Sequence, residues 1–179
     1  MPPKIILIAG ESGSGKTTFI DKALRYVDAI VISMDNFYFG KNDCHRPSDV
    51  AVWGNDPNYC DIESLVQVVT QLKQGEPTLI PQYSFIIQDR VKPIVVIPTK
   101  YIIVEGLWAL TFPKLRELAD RKIYIEAPEA VRIERRIGRD DVRGHSKERV
   151  LEMAPCIERL GKLHVAPYKT YADLVIKNF

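Results

Sequence analysis

Ile5-Ile6-Leu7-Ile8-Ala9 runs straight into Gly10-Glu11-Ser12-Gly13-Ser14-Gly15-Lys16-Thr17, and the reading of this junction decides the fold. An unbroken apolar run suits a strand covered on both faces. The octet after it matches G-x-x-x-x-G-K-[ST], the spacing of a loop that turns backbone N–H groups inward around phosphate oxygens. Glycines are needed there because β-carbons would obstruct that conformation. From average composition a chance match in a chain this long is on the order of one in 200, and the strand before it lowers that further. The helix that the loop opens points its positive end at the anion. Lys16 is expected to reach the β- and γ-phosphates, and the Thr17 hydroxyl to ligate Mg²⁺. Gly10, Glu11, Ser12, Gly13, Ser14, Gly15, Lys16, Thr17 and Thr18 form the candidate ATP-binding loop. No N-K-x-D guanine motif follows, which argues against a switch GTPase.

Outward from the loop, strand-length apolar runs alternate with amphipathic segments. Ile5–Ala9, Ala29–Ser33, Tyr101–Glu105, Lys122–Glu126 and Leu174–Lys177 read as strands. Helices are predicted over Gly15–Tyr26, over Ile62–Gln74 with Asp61 as N-cap and Gly75 as stop, and over Pro128–Gly138. A fourth is predicted from Ser146 to about Leu163, with Pro155 expected to kink or break it. The alternation predicts an α/β fold of the P-loop NTPase type, a three-layer sandwich around a mostly parallel sheet. Thr78–Ile97, punctuated by Pro81, Pro93 and Pro98, looks like a small projecting β-hairpin, with an irregular edge excursion as the alternative.

The chain has 179 residues, about one domain's worth, so residues 1–179 are expected to form a single domain. Its composition, 46% hydrophobic and 27% charged, is that of an ordinary globular protein, and a formal net charge of +2 argues against a nucleic-acid-coating surface. No apolar run approaches the roughly 20 residues that span a bilayer, so no membrane partner is expected. Cys44, Cys60 and Cys156 show no C-x-x-C pair and no zinc spacing with His45, His145 and His164. A reducing, cytoplasmic setting is the expectation, and a homo-oligomer is compatible with it.

The second strand ends in Ser33-Met34-Asp35-Asn36-Phe37-Tyr38. A carboxylate at the C-terminal end of a strand beside the phosphate loop sits where open α/β sheets place ligands. Asp35 is therefore the candidate base for an acceptor hydroxyl, with a turn-capping role as the alternative. Glu105 closes the apolar run Tyr101-Ile102-Ile103-Val104, and a strand-end acid facing a triphosphate is a candidate metal ligand. Residues 132–149 hold six Arg and one Lys against four acids. Arg132, Arg135, Arg136 and Arg139 recur at three- or four-residue steps, placing much of this charge along one helix side. All the cations from Arg132 to Arg143 are arginines, whose planar forks suit phosphate; a solvated basic face is the alternative.

In order, Gly10–Thr18, Asp35-Asn36-Phe37-Tyr38, Pro81-x-Tyr83-x-Phe85, Glu105-Gly106-Leu107, the arginine run and Pro167-Tyr168-Lys169-Thr170-Tyr171-Ala172-Asp173 resemble the uridine kinase family over nearly the whole chain. The wider group includes phosphoribulokinase, pantothenate kinase and nicotinamide riboside kinase. The resemblance implies an ATP- and Mg²⁺-dependent transfer of phosphate to a primary hydroxyl of a small ribose-like acceptor. It implies Asp35, Lys16 and Arg139 as catalytic, with Arg139 and Arg143 on the phosphates within a lid at about residues 139–146. Asp35, Tyr38, Asn55, Asp56, Tyr83, Gln88 and Arg136 would meet the acceptor, Tyr83 packing on a base or, alternatively, in the core. Thr17 and Glu105 would face the metal.

Several positions depart from the family pattern. The ribose-gripping acid falls on Asn55 unless Asp56 takes its place, Gln88 stands for a His, Met153 for a Gln and His145 for the lid's last Arg. The lid is one residue short, and relatives continue past Asn178-Phe179 into a loop near the adenine. These departures touch acceptor recognition and leave the reaction type intact. Two alternatives stay open: a kinase for a sugar phosphate or pantothenate, with Arg90 and Lys92 as candidate phosphate ligands, and a non-catalytic nucleotide-binding module.

Overall fold

The computed structural model describes residues 2–44, 54–141 and 145–179. Five strands form one parallel sheet: β1 (Lys4–Ala9), β2 (Ala29–Ser33), β5 (Tyr101–Gly106), β6 (Arg121–Glu126) and β7 (Leu174–Lys177), in the order β2-β5-β1-β6-β7. The expected strands are all present within a residue or two at each end. Alternate residues of β1 enter opposite layers. Ile5, Leu7 and Ala9 join the larger core with Leu65, Val69, Leu72 and Leu115, whereas Ile8 joins Ile20, Ile103 and Ile125. Both faces are thus covered, which is why these strands read as continuous apolar runs. Because the chain leaves β1 toward β2 and β5 on one side and reaches β6 and β7 on the other, the order reverses at β1. That reversal opens a crevice outside the carboxyl ends of the strands.

Helix α1 (Lys16–Ala23) is shorter than expected, because a turn returning Tyr26 N–H to Ala23 O (2.9 Å) ends it before β2. Helix α2 (Ile62–Lys73) starts as the sequence predicts: the Asp61 carboxylate accepts from Ser64 N (3.1 Å) and Ser64 Oγ (2.9 Å). The antiparallel hairpin of β3 (Thr78–Ser84) and β4 (Asp89–Val96) occupies the expected segment. Its register runs Ile80↔Ile94 and then Gln82↔Val91, so β4 holds one extra residue near Pro93, opposite Pro81. A bulge is where a two-stranded ladder tolerates residues lacking an N–H.

A six-residue helix that sequence reading missed, α3 (Pro113–Leu118), has Pro at its start and is too short to show an apolar period. Helix α4 spans Glu129–Asp141 and α5 spans Lys147–His164. Pro155 does not break α5, contrary to expectation. It lies on the exposed face, where water can serve the carbonyl of Leu151 that a proline nitrogen leaves without a partner. Among the described residues no helix is long and apolar enough to cross a membrane.

Candidate active site

The loop between β1 and α1 has the built-in constraints of an anion cradle. Gly13 has φ 83° and Gly15 has φ 94°, both left-handed. A β-carbon on Gly13 would stand 2.5 Å from the Arg132 carbonyl oxygen, and one on Gly15 would collide with Asn178 Nδ2. The Lys16 ammonium donates to Gly10 O (2.8 Å) and Glu11 O (3.3 Å), a folded-back position on the loop itself. Burial lowers the pKa of Lys16 and neighbouring Arg139 adds to that, while Glu105 and Asp35 oppose it. A polyphosphate would add negative charge beside this buried cation and favour its charged form.

Asp35 is brought to the cradle by a short 3₁₀ turn, Met34–Phe37, at the end of β2. Ser33 Oγ accepts from Asp35 N (3.4 Å), so the aspartate's amide rather than its carboxylate makes the turn bond. The same Ser33 hydroxyl donates to Glu105 Oε1 (2.6 Å), from the neighbouring strand and in register. Burial raises the pKa of Glu105 and nearby Asp35 adds to it, against Lys16 and the Ser33 bond. Two neighbouring acids at the strand ends fit a divalent cation, which would favour the ionised form of the desolvated Glu105. Among the described residues no group of three or more His, Cys, Asp or Glu converges as a metal cage, so such a cation would take further ligands from phosphate and water.

One cavity of about 200 Å³ joins these parts. Ser12, Lys16 and Thr17 line one side of it, and Asp35, Glu105 and Tyr38 line the strand ends. Asn55, Phe85 and Gln88 border it from the hairpin side, and Arg136, Arg139, Asp140, His145, Met153 and Ile157 close it from α4 and α5. The Tyr38 hydroxyl donates to Gly54 O (3.1 Å), holding the Asn55 segment against the cavity. Gln88, the described non-glycine residue with positive φ (54°), sits at the hairpin tip, where strained backbone often serves a site.

The arginines divide their work. Arg135 reaches Gly13 O and Ser14 O (3.4 Å each), and Arg139 reaches Ser12 Oγ (3.4 Å) and Asp140 Oδ1 (2.8 Å). Arg136 is 2% exposed, and its Nε and one terminal nitrogen have no hydrogen-bond partner among the described residues. Burial lowers its pKa, Asp140 opposing and Arg139 adding. Arg132 and Arg136 are thus buried and Arg135 half-buried, and of the four α4 arginines Arg139 is the exposed one. Arg143 lies outside the described residues, as does part of the expected lid at residues 139–146.

Other expected site residues stand elsewhere. The Glu11 side chain is taken up by Arg132 instead of the nucleotide side, and Thr18 is exposed on α1 outside the cavity. Asp56 caps the 3₁₀ turn Pro57–Tyr59 by accepting from Asn58 N (2.9 Å), which leaves Asn55 as the residue at the cavity. Tyr83 packs in the core edge-on to Tyr38 (5.6 Å) and Phe85 (5.4 Å), so Phe85 rather than Tyr83 is the aromatic at the wall. Arg90 binds Phe37 O, Tyr38 O and Asp61, tying the hairpin to the core, and Lys92 is exposed; neither lines the cavity. Sequence reasoning missed Phe85, Asp140 and Ile157, and also Asn178, whose amide donates to Ser14 O (2.8 Å). Asp140, following Arg139 at the end of the arginine stripe, was the one with a readable signal.

Known proteins resemble this chain over nearly its whole length. The family model of the phosphoribulokinase / uridine kinase family matches residues 5–179. A curated uridine kinase of Borreliella burgdorferi is 37% identical over 178 residues, covering 97% of this chain and 85% of that protein. One from Macrococcus caseolyticus is 35% identical over 178 residues, covering 96% of this chain and 86% of that protein. Among solved structures, one from Silicibacter sp. TM1040 superposes with a TM-score of 0.79 at 22% identity, covering 98% of this chain and 90% of that one. The D-glycerate 3-kinase of Cryptococcus neoformans gives 0.70 at 14% identity, covering 98% and 86%. These two show the fold alone.

Proposed function

The chain belongs to the phosphoribulokinase / uridine kinase family, and from that premise we propose that it moves the γ-phosphoryl group of ATP to the primary hydroxyl of a nucleoside. The supporting observation is the single cavity that Lys16 and Thr17 share with Asp35. Full-length likeness to curated uridine kinases makes a pyrimidine nucleoside the first acceptor to try.

Phosphoryl transfer asks for positioning and charge stabilisation more than covalent help. Loop amides cradle the polyphosphate, and the Lys16 ammonium moves from the Gly10 and Glu11 carbonyls onto phosphate oxygens. Asp35 orients the acceptor hydroxyl and takes its proton as the new P–O bond forms and the β–γ bridge breaks. Arg139 offsets charge on the transferring group from the α4 side, and Arg136 holds the acceptor. Thr17 and Glu105 would hold Mg²⁺, which when bound supplies neutralisation of phosphate charge. Tyr38, Asn55, Phe85, Gln88 and Met153 shape the acceptor's outline.

A second reading, an acceptor bearing an anionic group such as a sugar phosphate or pantothenate, is favoured by the two buried Arg136 guanidinium nitrogens that have no hydrogen-bond partner among the described residues. The test is product analysis with ATP–Mg²⁺ over uridine, cytidine, nicotinamide riboside, pantothenate and ribulose 5-phosphate. Phosphorylation of a nucleoside is expected. Turnover confined to the anionic acceptors favours the second reading, and ATP binding with no turnover on any of them removes the transferase assignment.

A further inference from the structure

We propose that Glu11, Arg132 and Glu158 form a clamp that positions the α4 arginines and the acceptor wall against the phosphate loop, so that Glu11 and Arg132 are positioning residues for phosphoryl transfer. The inference rests on the kinase reading above.

Arg132 is 5% exposed and Glu158 6% exposed. One terminal nitrogen of the guanidinium binds the Glu11 carboxylate and Ala127 O (3.1 Å), and the other binds the Glu158 carboxylate. Three elements thus meet at one side chain: the loop through Glu11, α4 through Arg132, and α5 through Glu158. Each also lines the cavity. The loop contributes Ser12 and Lys16, α4 contributes Arg136 and Arg139, and α5 contributes Met153 and Ile157.

Contact between α4 and the loop continues beyond the ion pair. Gly13 lies against the Arg132 backbone, Arg135 reaches Gly13 O and Ser14 O, and Arg139 reaches Ser12 Oγ. These arginines are three or four residues apart, so a rotation of α4 about its axis would displace all of them together. The Arg135 and Arg139 contacts are long, at 3.4 Å, and cannot set the rotation by themselves. The buried pairs at Arg132 can, since breaking one leaves a desolvated charge without its partner. Gly161 on α5 has the Glu11 carboxylate at its bare Cα, where an added β-carbon would stand 2.9 Å from Oε1. The carboxylate is therefore held between two helices, behind the loop whose Glu11 carbonyl accepts from Lys16. The Glu11 charge also reaches Lys16 electrostatically, and a Gln at position 11 removes that charge while keeping the bond to Arg132.

The test compares Glu11→Ala with Glu11→Gln, an amide that still accepts a bond from Arg132. Steady-state kinetics would use the best acceptor of the panel, alongside hydrogen exchange over residues 129–141. Misplacement of catalytic groups by about 1 Å costs up to about 10²-fold, so Glu11→Ala is expected to lower kcat by about 10- to 100-fold. KM for ATP and for the acceptor should stay within about threefold, because ground-state contacts are kept. Exchange in α4 should quicken by about tenfold as its local opening becomes easier. Glu11→Gln should recover most of the lost kcat. An unchanged kcat in Glu11→Ala overturns the clamp, as does a raised KM for ATP at constant kcat, or an equal loss in both variants. Should Glu11→Ala yield no folded protein, Glu158→Ala removes the other arm, with Glu158→Gln as its bond-keeping control, and the pair is judged by the same criteria. If the unmodified protein phosphorylates nothing, the kinase reading fails by itself; the clamp then stands or falls on α4 exchange, and equal exchange with and without Glu11 overturns it.

Discussion

Ser12, Lys16 and Thr17 reach the proposed phosphate side of the cavity from one unbroken stretch of chain, whereas Asp35, Asn55, Gln88, Arg136 and Met153 reach the proposed acceptor side from five separate segments. The first side rests largely on backbone: left-handed glycines and a helix start. The second is made of side chains, whose identities can change without disturbing the fold. Chemistry common to a family belongs in the first kind of site, and choice of acceptor in the second. Such a protein can alter what it phosphorylates by exchanging wall residues while keeping its donor site.

That contrast can be broken by experiment. Asp35→Asn should lower turnover by about 10²–10⁴-fold, the usual range for loss of a general base. Calorimetry with a non-hydrolysable ATP analogue should show affinity nearly unchanged, and a comparable loss there would mean the two sides are one site. Arg136→Met should raise KM for the acceptor by about 10- to 100-fold, in line with about 1.5–3 kcal/mol for a bond to a charged group. It should leave the affinity for that analogue within about threefold.

Gly13→Ala acts on the other side. Its left-handed backbone and the Arg132 carbonyl 2.5 Å from the new β-carbon should weaken binding of the analogue. Strain of about 1–3 kcal/mol corresponds to roughly 5- to 150-fold. A loss of acceptor affinity alone would contradict the division. The smallest effect concerns the hairpin that bears Phe85 and Gln88. Asp61→Ala removes the α2 cap and the Arg90 pair, and should cost about 1–2 kcal/mol in thermal or urea unfolding. Burial pushes the pKa of Asp61 up, but its Ser64 and Arg90 bonds together bring it below the usual value. A depressed carboxyl stabilises the fold above its unfolded-state pKa and loses that contribution as pH falls through the folded value. The difference between Asp61→Ala and the unmodified protein should therefore be full at pH 7 and shrink below about pH 4.

Some of the site could be read along the chain because local rules govern it. Asp35 and Glu105 stand at the ends of apolar strands, Lys16 and Thr17 close the loop that leaves one, and a parallel sheet delivers its strand ends to one edge. Asp61 was readable as a cap for the same reason: its partner, Ser64, is three residues away. Tyr83 and Phe85 were not separable, since they stand two residues apart and both pack edge-on against Tyr38; only the tertiary packing buries Tyr83 and leaves Phe85 at the cavity. Asn55 and Asp56 differ by a one-residue shift that no pattern resolves, until the Asn58 amide claims the aspartate. Arg90 looked like a phosphate ligand because its charge was visible and the carbonyls of Phe37 and Tyr38 were not.

The amino-acid order by itself determined the strand–loop–helix unit, the alternation that makes a parallel sheet, and the reaction class that a glycine cradle with a strand-end aspartate supports. These rest on periodicity and on backbone conformations that only certain residues adopt, and both act over a few neighbouring positions. The tertiary structure alone decided which arginine is buried against Glu11, which faces the cavity without a partner, and which aromatic forms the wall. Those outcomes depend on groups far apart along the chain, about forty-five residues for Tyr38 and Tyr83 and 121 for Glu11 and Arg132, competing for the same desolvated space.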